Sequence, residues 1–515
     1  MAETDKQAAG MRGAMAIVLG IAGARLLLLL LTANRYGYFG DEMYHLACAQ
    51  HLDWGYVDQP PLIALIGWVV RHTLGDSLLA VRLLPALSGS VVVWLTGLMA
   101  RELGGKRFAM GLAALGAACA GVYLAIDHLF TMNSFETLIW ATCAYLVIRI
   151  VKTGNQKLWL WFGVVAGLGL ENKYSMAVFA AGLVAGLLLT PERKALAQKW
   201  IWIGGGIALA LFLPNVIWNI QHHWPFFELM RNIRESGRDV VFSPLAFLRE
   251  QIILMNPMTF PVWVAGALYL LFSQRAKAFR LLGWAFVFVL GFFIVTHGKT
   301  YYPAPVYTLA LAAGGVAIEV FAARRGWGWT KPALVVVMVA MTVLMLPMLV
   351  PVLSVDDYLR YQDKAPFAPA ATEKDHEQAR LPHIFAWSIG WNEMVAATAR
   401  VYWSLPAAER AKAAIFGGNF AEAGAIDLLG PRYGLPRAIG THQSYYLWGP
   451  REYTGEIMIV LGRRPKDVER YFDSVEVGAE LHTPNAPPWE NRPILICHGL
   501  KQNLRELWPK IKNWD

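Results

Sequence analysis

An acidic pair, Asp41-Glu42, stands just past the first long apolar run of the chain, inside the string FGDEMYHLACAQHLDWGYVDQPPLIALIG. A carboxylate at the edge of a bilayer is costly to desolvate and points to chemistry at the membrane surface. Held there, it can take the proton of a hydroxyl as that hydroxyl attacks, which is general-base work. Asp41 is also placed to cap a helix beginning at Glu42, and the two roles are compatible, since a capping position fixes the carboxylate. Around the pair lie His45, Asp53 and Asp58, with aromatic rings at Tyr38, Phe39, Trp54 and Tyr56 that suit a water–lipid interface.

The cations come from elsewhere in the chain. Lys299 precedes Tyr301 and Tyr302 in HGKTYYP, and Lys173-Tyr174 offers the same pairing in GLENKYS. A lysine beside tyrosines at headgroup depth suits an anionic phosphate, and it equally serves as an interface anchor; two such pairs converging on one face would favour phosphate. A further stretch carries His222, His223, Arg231 and Arg234. Arginines one helical turn apart can hold a phosphate or an acidic acceptor, or form a solvated face against anionic headgroups. Asp127 and Glu136 could assist Asp41, though neither stands out by spacing. His222-His223 is adjacent rather than a helical turn apart, and no Cys/His spacing suggests zinc, so neither a metal nor another cofactor is expected. Cys119 and Cys143 fall in apolar runs, while Cys48 and Cys497 do not, which makes no disulfide framework.

These residues must be positioned by membrane helices. The chain is 56% hydrophobic and 16% charged over 515 residues, with the apolar residues grouped in long runs, so it is polytopic. A span needs roughly 20 apolar residues, which gives about 11 spans. They fall near 13–33, 82–100, 108–126, 134–150, 158–171, 174–190, 200–218, 250–273, 281–296, 303–322 and 332–354, the fifth and sixth meeting around Glu171-Asn172-Lys173. Residues 1–33 read as a retained anchor rather than a cleaved leader, with Arg25 snorkelling or facing other helices. Alternate connections carry Arg101, Lys106, Arg107; Arg149, Lys152, Lys157; Arg193, Lys194, Lys199; Arg275, Lys277, Arg280; and Arg324, Arg325, Lys331. The positive-inside rule makes them cytoplasmic, which puts Asp41, Lys173, 219–249, Lys299 and everything after Ser354 outside. The net charge of +9 is then a matter of topology and requires no nucleic-acid partner. Pro60-Pro61 opens an apolar helix expected to lie along the membrane.

After residue 355 the composition turns polar. Short apolar runs alternate with helical patterns: a helix near 390–404, a strand at 413–416, a helix across 420–430, a strand at 456–461, a helix at 465–474 and a strand at 494–497. The expected organisation is a membrane domain over 1–354, a linker over 355–380 and an extracytoplasmic α/β domain over 381–515.

The strings FGDEMYHLACAQHLDWGYVDQPPL, VRLLPALSG, GLENKYS and KTYYPAPVYTLALAAG resemble the bacterial members of the protein O-mannosyltransferase family, glycosyltransferase family 39. That family has the GT-C fold and includes relatives of the lipid A aminoarabinose transferase. The tail string FGGNFAEAGAIDLLGPRYGLPRAIGTHQSYYLWGP resembles the extracytoplasmic domain of such relatives. The resemblance implies transfer of a sugar, with inversion, from a polyprenyl-phosphate donor to a lipid, glycan or protein acceptor on the outer face of the bacterial inner membrane. The family's acidic residue falls on Asp41, with Glu42 beside it. Its phosphate-binding segment falls on Lys299, Tyr301 and Tyr302, and its KY element on Lys173 and Tyr174. Where family members commonly carry Asp in the second outer loop, this chain has Asn133, so Glu136 or Asp127 would have to complete a carboxylate pair. Readings from other classes are a lipid-linked sugar flippase, which would place ionisable residues at the bilayer midplane rather than in outer loops, and a non-catalytic assembly subunit.

Overall fold

The computed structural model describes residues 2–364 and 379–515, with side chains from Gly10 onward. Most of the expected linker, 365–378, lies outside the described residues; its first part is a helix, Val355–Gln362, capped by the Ser354 hydroxyl on the Asp357 N–H. By contacts the chain divides into two compact units. Met1–Asn34, Leu79–Ile217 and Val241–Thr372 make the first; Arg35–Leu78, Trp218–Val240 and Glu373–Asp515 make the second.

The first unit is helical. Among the described residues, 7 helices are long and apolar enough to cross a membrane, or up to 10 if three bent pairs each count as one span. The short apolar helix Leu158–Asn172 accounts for the remaining expected span, so the figure read from sequence is approximate. The bends have local causes. The expected span 250–273 turns by 97° between Pro244–Leu254 and Pro257–Phe272. Pro257 has no N–H to continue the ladder, and Asn256 takes a positive φ of 73°. The Asn256 amide satisfies the broken backbone: its oxygen accepts the Met258 N–H, and its nitrogen donates to the Cys119 carbonyl and to Thr342. Elsewhere, glycines let helices touch through backbone. A Cβ at Gly266 would lie 1.8 Å from the Ala310 carbonyl oxygen, and one at Gly314 would lie 1.9 Å from that of Val262. Small residues at such crossings are what hold helices together where lipid removes the hydrophobic drive.

Arg25, in the helix Ala2–Thr32, does not snorkel. It is buried, pairs with Asp127 at 2.5 Å and donates to the Gly89 carbonyl at 3.2 Å. The Asp127 carboxylate fills the space that a side chain at Gly89 would need, so the glycine is a steric condition of the pair.

The second unit holds a five-stranded mixed sheet of order β2-β1-β3-β5-β4. Strand β1 (Ala413–Gly417) runs parallel to β2 (Ile439–Gly440) and to β3 (Ile457–Val460). Strand β3 pairs antiparallel with β5 (Ile494–Leu500), and β5 pairs antiparallel with β4 (Phe472–Ala479). Helices Trp391–Ser404 and Phe420–Leu429 lie where the sequence pattern puts them. The helix expected over 465–474 stops at Val468, and 472–479 is the edge strand β4. That strand is mostly exposed, so it lacks the alternation that marks a half-buried strand. Helix Gly40–Cys48 packs on Phe420–Leu429 so closely that a Cβ at Gly424 would lie 3.0 Å from the Met43 carbonyl carbon. All four cysteines are free and buried.

Removing one partner of a buried ion pair leaves the other charge uncompensated. Asp127→Asn is therefore expected to destabilise the first unit by about 3–5 kcal/mol, while Arg25→Met with Asp127→Leu recovers most of that loss. Thermal unfolding of the purified variants in one detergent checks it; equal stability of Asp127→Asn and wild type would refute the structural role.

Candidate active site

In the first unit, helix Leu158–Asn172 ends where Lys173 turns to extended backbone, with φ −161°. That turn carries the Lys173 side chain across to the first turn and a half of helix Met132–Thr153. Its ammonium donates to Asn133 Oδ1 at 2.7 Å and to Glu136 Oε2 at 3.0 Å. Glu136 is buried and also accepts the Ser175 hydroxyl. The ammonium lies over the Tyr302 ring, 4.6 Å from its centroid, and 5.8 Å from that of Tyr301. The two lysine–tyrosine strings thus meet in space, with Lys173 as the cation facing both rings. Lys299 is half-buried in the connection that carries those tyrosines. The Tyr174 hydroxyl donates to Asn215 Oδ1 at 3.3 Å.

This arrangement can hold an anion. An ammonium has three N–H donors, and two are committed to Asn133 and Glu136, which fix its direction. A carboxamide at position 133 accepts that hydrogen bond without adding negative charge, so the cluster of Lys173 and Glu136 is neutral overall. An aspartate there would add a negative charge beside Lys173 and make the local sum net negative, which weakens the attraction for an anion. Of the two residues named to complete a carboxylate pair, Asp127 is tied to Arg25, whereas Glu136 is beside Lys173. Ser175 and Asn215 were missed by sequence reasoning. Ser175 stands in the GLENKYS string with no signal beyond nearness to Lys173, and Asn215 is a buried amide in an apolar run, a pattern that calls for a partner.

In the second unit, Phe39 is the N-cap of helix Gly40–Cys48, so the helix begins ahead of Glu42, and the capping role expected of Asp41 passes to its neighbour. The fully buried Glu42 carboxylate accepts the Phe39 N–H at 2.8 Å. An anion in the first turn also meets the positive end of the helix dipole. Asp41, half-buried on the same turn, is the other member of the pair. Behind it, the Tyr44 hydroxyl donates to Asp58 at 2.7 Å and lies 2.8 Å from the Ser444 hydroxyl, which accepts the Val57 N–H. Gln59 meets His45 Nδ1 at 3.3 Å. Burial raises Asp58 to about 6 and lowers His45 to about 3, so His45 is neutral at physiological pH and supplies no positive charge. Asp53 accepts the Trp54 N–H at 2.7 Å, leaving the Trp54 ring exposed.

His222 stacks on Trp218 with centroids 4.1 Å apart and bonds the Trp218 carbonyl through Nδ1; His223 is exposed at a positive φ of 59°. Helix Pro225–Ser236 uses Glu228 and Asn232 to bind Lys512 and the Trp514 carbonyl, at 2.5 and 2.7 Å. Arg231 and Arg234 lie exposed on that helix.

The fold is that of the GT-C membrane glycosyltransferases. It matches the crystal structure of ArnT from Cupriavidus metallidurans in the apo state with a TM-score of 0.61 at 15% identity, over 92% of this chain and 96% of that one. The same enzyme bound to undecaprenyl phosphate matches with a TM-score of 0.58 at 14% identity, over 92% and 97% of the two chains. Residues 58–218 match the model of the dolichyl-phosphate-mannose-protein mannosyltransferases, so the family resemblance read from the sequence holds. That segment contains Lys173, Asn133 and Glu136 and stops short of Asp41 and Lys299.

Among curated proteins, the chain is similar to the lipid A galacturonosyltransferase RgtD of Rhizobium johnstonii, 27% identical over 48% of this chain and 52% of the relative. It is also similar to the undecaprenyl phosphate-alpha-4-amino-4-deoxy-L-arabinose arabinosyl transferase of Pseudomonas fluorescens, 23% identical over 57% and 54%. In these alignments the chain spans about half the length of the relatives. Helices and relatives together make it a multi-pass membrane protein.

If Asn133 keeps the Lys173 cluster neutral for an anion, Asn133→Asp should weaken binding of a polyprenyl phosphate about tenfold while leaving the fold intact, and Lys173→Ala should weaken it at least as much. Titration of the purified variants with the lipid phosphate reads this directly; unchanged binding by both variants would remove the cluster from the donor site.

Proposed function

We propose that the protein is an inverting glycosyltransferase that moves a sugar from a polyprenyl-phosphate donor to a lipid or glycan acceptor at the outer face of the bacterial inner membrane. The observation that carries this reading is the Lys173 ammonium, aimed by Asn133 and Glu136 and faced by Tyr301 and Tyr302. It is supported by relatives whose names describe transfer to lipid A and lipopolysaccharide core and use of an undecaprenyl-phosphate sugar.

In the reaction, the acceptor hydroxyl attacks the anomeric carbon from the face opposite the phosphate. The bond from that carbon to the phosphate oxygen breaks, and its electrons stay on the phosphate. Negative charge therefore grows on the leaving group, and a fixed cation stabilises the transition state more than the ground state. Lys173 fills that role here, with Lys299 a second donor-phosphate contact. Asp41 takes the hydroxyl proton. Glu42, committed to the Phe39 N–H, holds the helix start from which Asp41 projects.

Asp41→Asn keeps the shape and loses the base. Turnover of a labelled polyprenyl-phosphate sugar with host membranes should fall about 10²–10⁴-fold with KM for the donor little changed, whereas Lys173→Ala should raise KM as well. Full activity of Asp41→Asn would remove the base, and sugar crossing the membrane without covalent transfer would instead make the protein a transporter.

The positive-inside rule, applied to the cationic connections, supports a cytoplasmic N-terminus and a periplasmic α/β tail. A cysteine introduced at the exposed Trp54 should then react with a membrane-impermeant maleimide in intact cells, and one at exposed Lys194 only after permeabilisation. The reverse pattern would invert the topology and place the reaction on the other face.

A further inference from the structure

A second group of acids stands in the second unit, among residues that the sequence pattern did not single out. Glu422 is buried in the first turn of helix Phe420–Leu429, where one oxygen accepts the Asn419 N–H at 3.1 Å. Its carboxylate fills the space that a side chain at Gly462 would need. Glu490 reaches it from the loop before β5. Glu490 Oε1 accepts from Trp387 Nε1 at 3.0 Å and from Asn419 Nδ2 at 3.2 Å, while Oε2 is buried with no donor among the described residues. Asn419 gathers the two carboxyls, its backbone N–H on Glu422 and its side-chain amide on Glu490, and each counts among the groups that shift the other. Two carboxylates in contact away from water cannot both be ionised; one keeps a proton and donates it to the other. Burial, then the neighbouring carboxylate, pushes Glu490 well up, and burial raises Glu422.

The pair connects to the residue read above as the base. The Trp387 ring lies flat on Gly40, where a Cβ would sit 2.8 Å from ring atoms, and meets Phe39 edge to face at 5.3 Å. Phe39 and Gly40 are the turn that delivers Asp41. Other charged or titratable groups face this assembly from each side. Arg463 donates to the Gly418 carbonyl at 3.0 Å and Arg492 to that of Gly462 at 2.6 Å. His383 lies 4.9 Å from Trp387 and His442 4.9 Å from Phe420, ring to ring. Glu42 closes the helix start itself.

We infer that Glu422 and Glu490, holding one proton between them, form a positioning device that seats Trp387 and through it the helix start bearing Asp41. The effect on turnover rests on the proposed role of Asp41; the effect on the helix start does not. A carboxyl whose pKa is raised on folding stabilises the fold at low pH, and that contribution is lost as pH rises through the raised value. Loss of the shared proton puts two negative charges in contact, the carboxyls part and Trp387 loses its seat. Glu490→Gln keeps a donor for Glu422 and an acceptor for Trp387, with no proton to lose.

The test uses the full chain in lipid nanodiscs, with kcat and KM measured from about pH 6 to pH 10 and amide exchange of residues 37–48 followed over the same range. Wild type should lose turnover and protection together on the alkaline side. Glu490→Gln should match wild type near neutrality and keep both at high pH. Trp387→Phe should lower kcat about tenfold with KM nearly unchanged, and raise exchange in 37–48. An alkaline limb and exchange profile in Glu490→Gln identical to wild type would overturn the inference. If exchange follows the carboxyl pair while Asp41→Asn turns over normally, the base assignment fails and the positioning device stands.

Discussion

The hydrogen bonds of Lys173 to Asn133 and Glu136 are the constraint on which the chemistry proposed for the membrane unit depends. An ammonium is strongly hydrated, and taking it toward hydrocarbon is unfavourable unless other donors and acceptors replace the water. Here an amide and a carboxylate from the start of helix Met132–Thr153 and two aromatic faces from the connection at Tyr301-Tyr302 do so. Glycine-mediated helix contacts, the bend at Pro257 and the buried Arg25–Asp127 pair hold those ends in register. The cation is directed by the fold itself, so the proposed reaction needs little reorganisation at that point.

The second unit solves a different problem, that of fixing a carboxylate near water. Asp41 projects from the first turn of a short helix whose start is closed by Glu42, flanked by Phe39 and roofed by Trp387. A helix of this length is marginal alone and owes its stability to packing on Phe420–Leu429. Glycines at 40 and 424 are where that packing leaves no room for a side chain. Both units use one device: a buried carboxylate holds its neighbour still, Glu136 for Lys173 and Glu42 for the turn before Asp41.

Much of this was legible in the chain. Apolar runs gave the spans, because a bilayer demands an uninterrupted length of apolar residues and local composition records it. Strands β1, β3 and β5 are visible as buried apolar runs, whereas the edge strand Phe472–Ala479 is not, and its first residues fall within the helix expected over 465–474, because exposure removes the alternation. Breaks within spans were not legible, since a kink at Asn256 depends on Cys119 and Thr342 supplying partners from far along the chain.

By itself the sequence determined the membrane class, the cationic connections, the α/β tail and the residue types able to do acid–base and phosphate chemistry. These follow from local composition and short-range periodicity. Only the tertiary structure decided which side chains come together: that Glu136 rather than Asp127 meets Lys173, that Glu42 rather than Asp41 closes its helix, and that Asn419 bonds both Glu422 and Glu490. Such choices are made by side chains approaching across tens to hundreds of residues, and no local pattern encodes the approach.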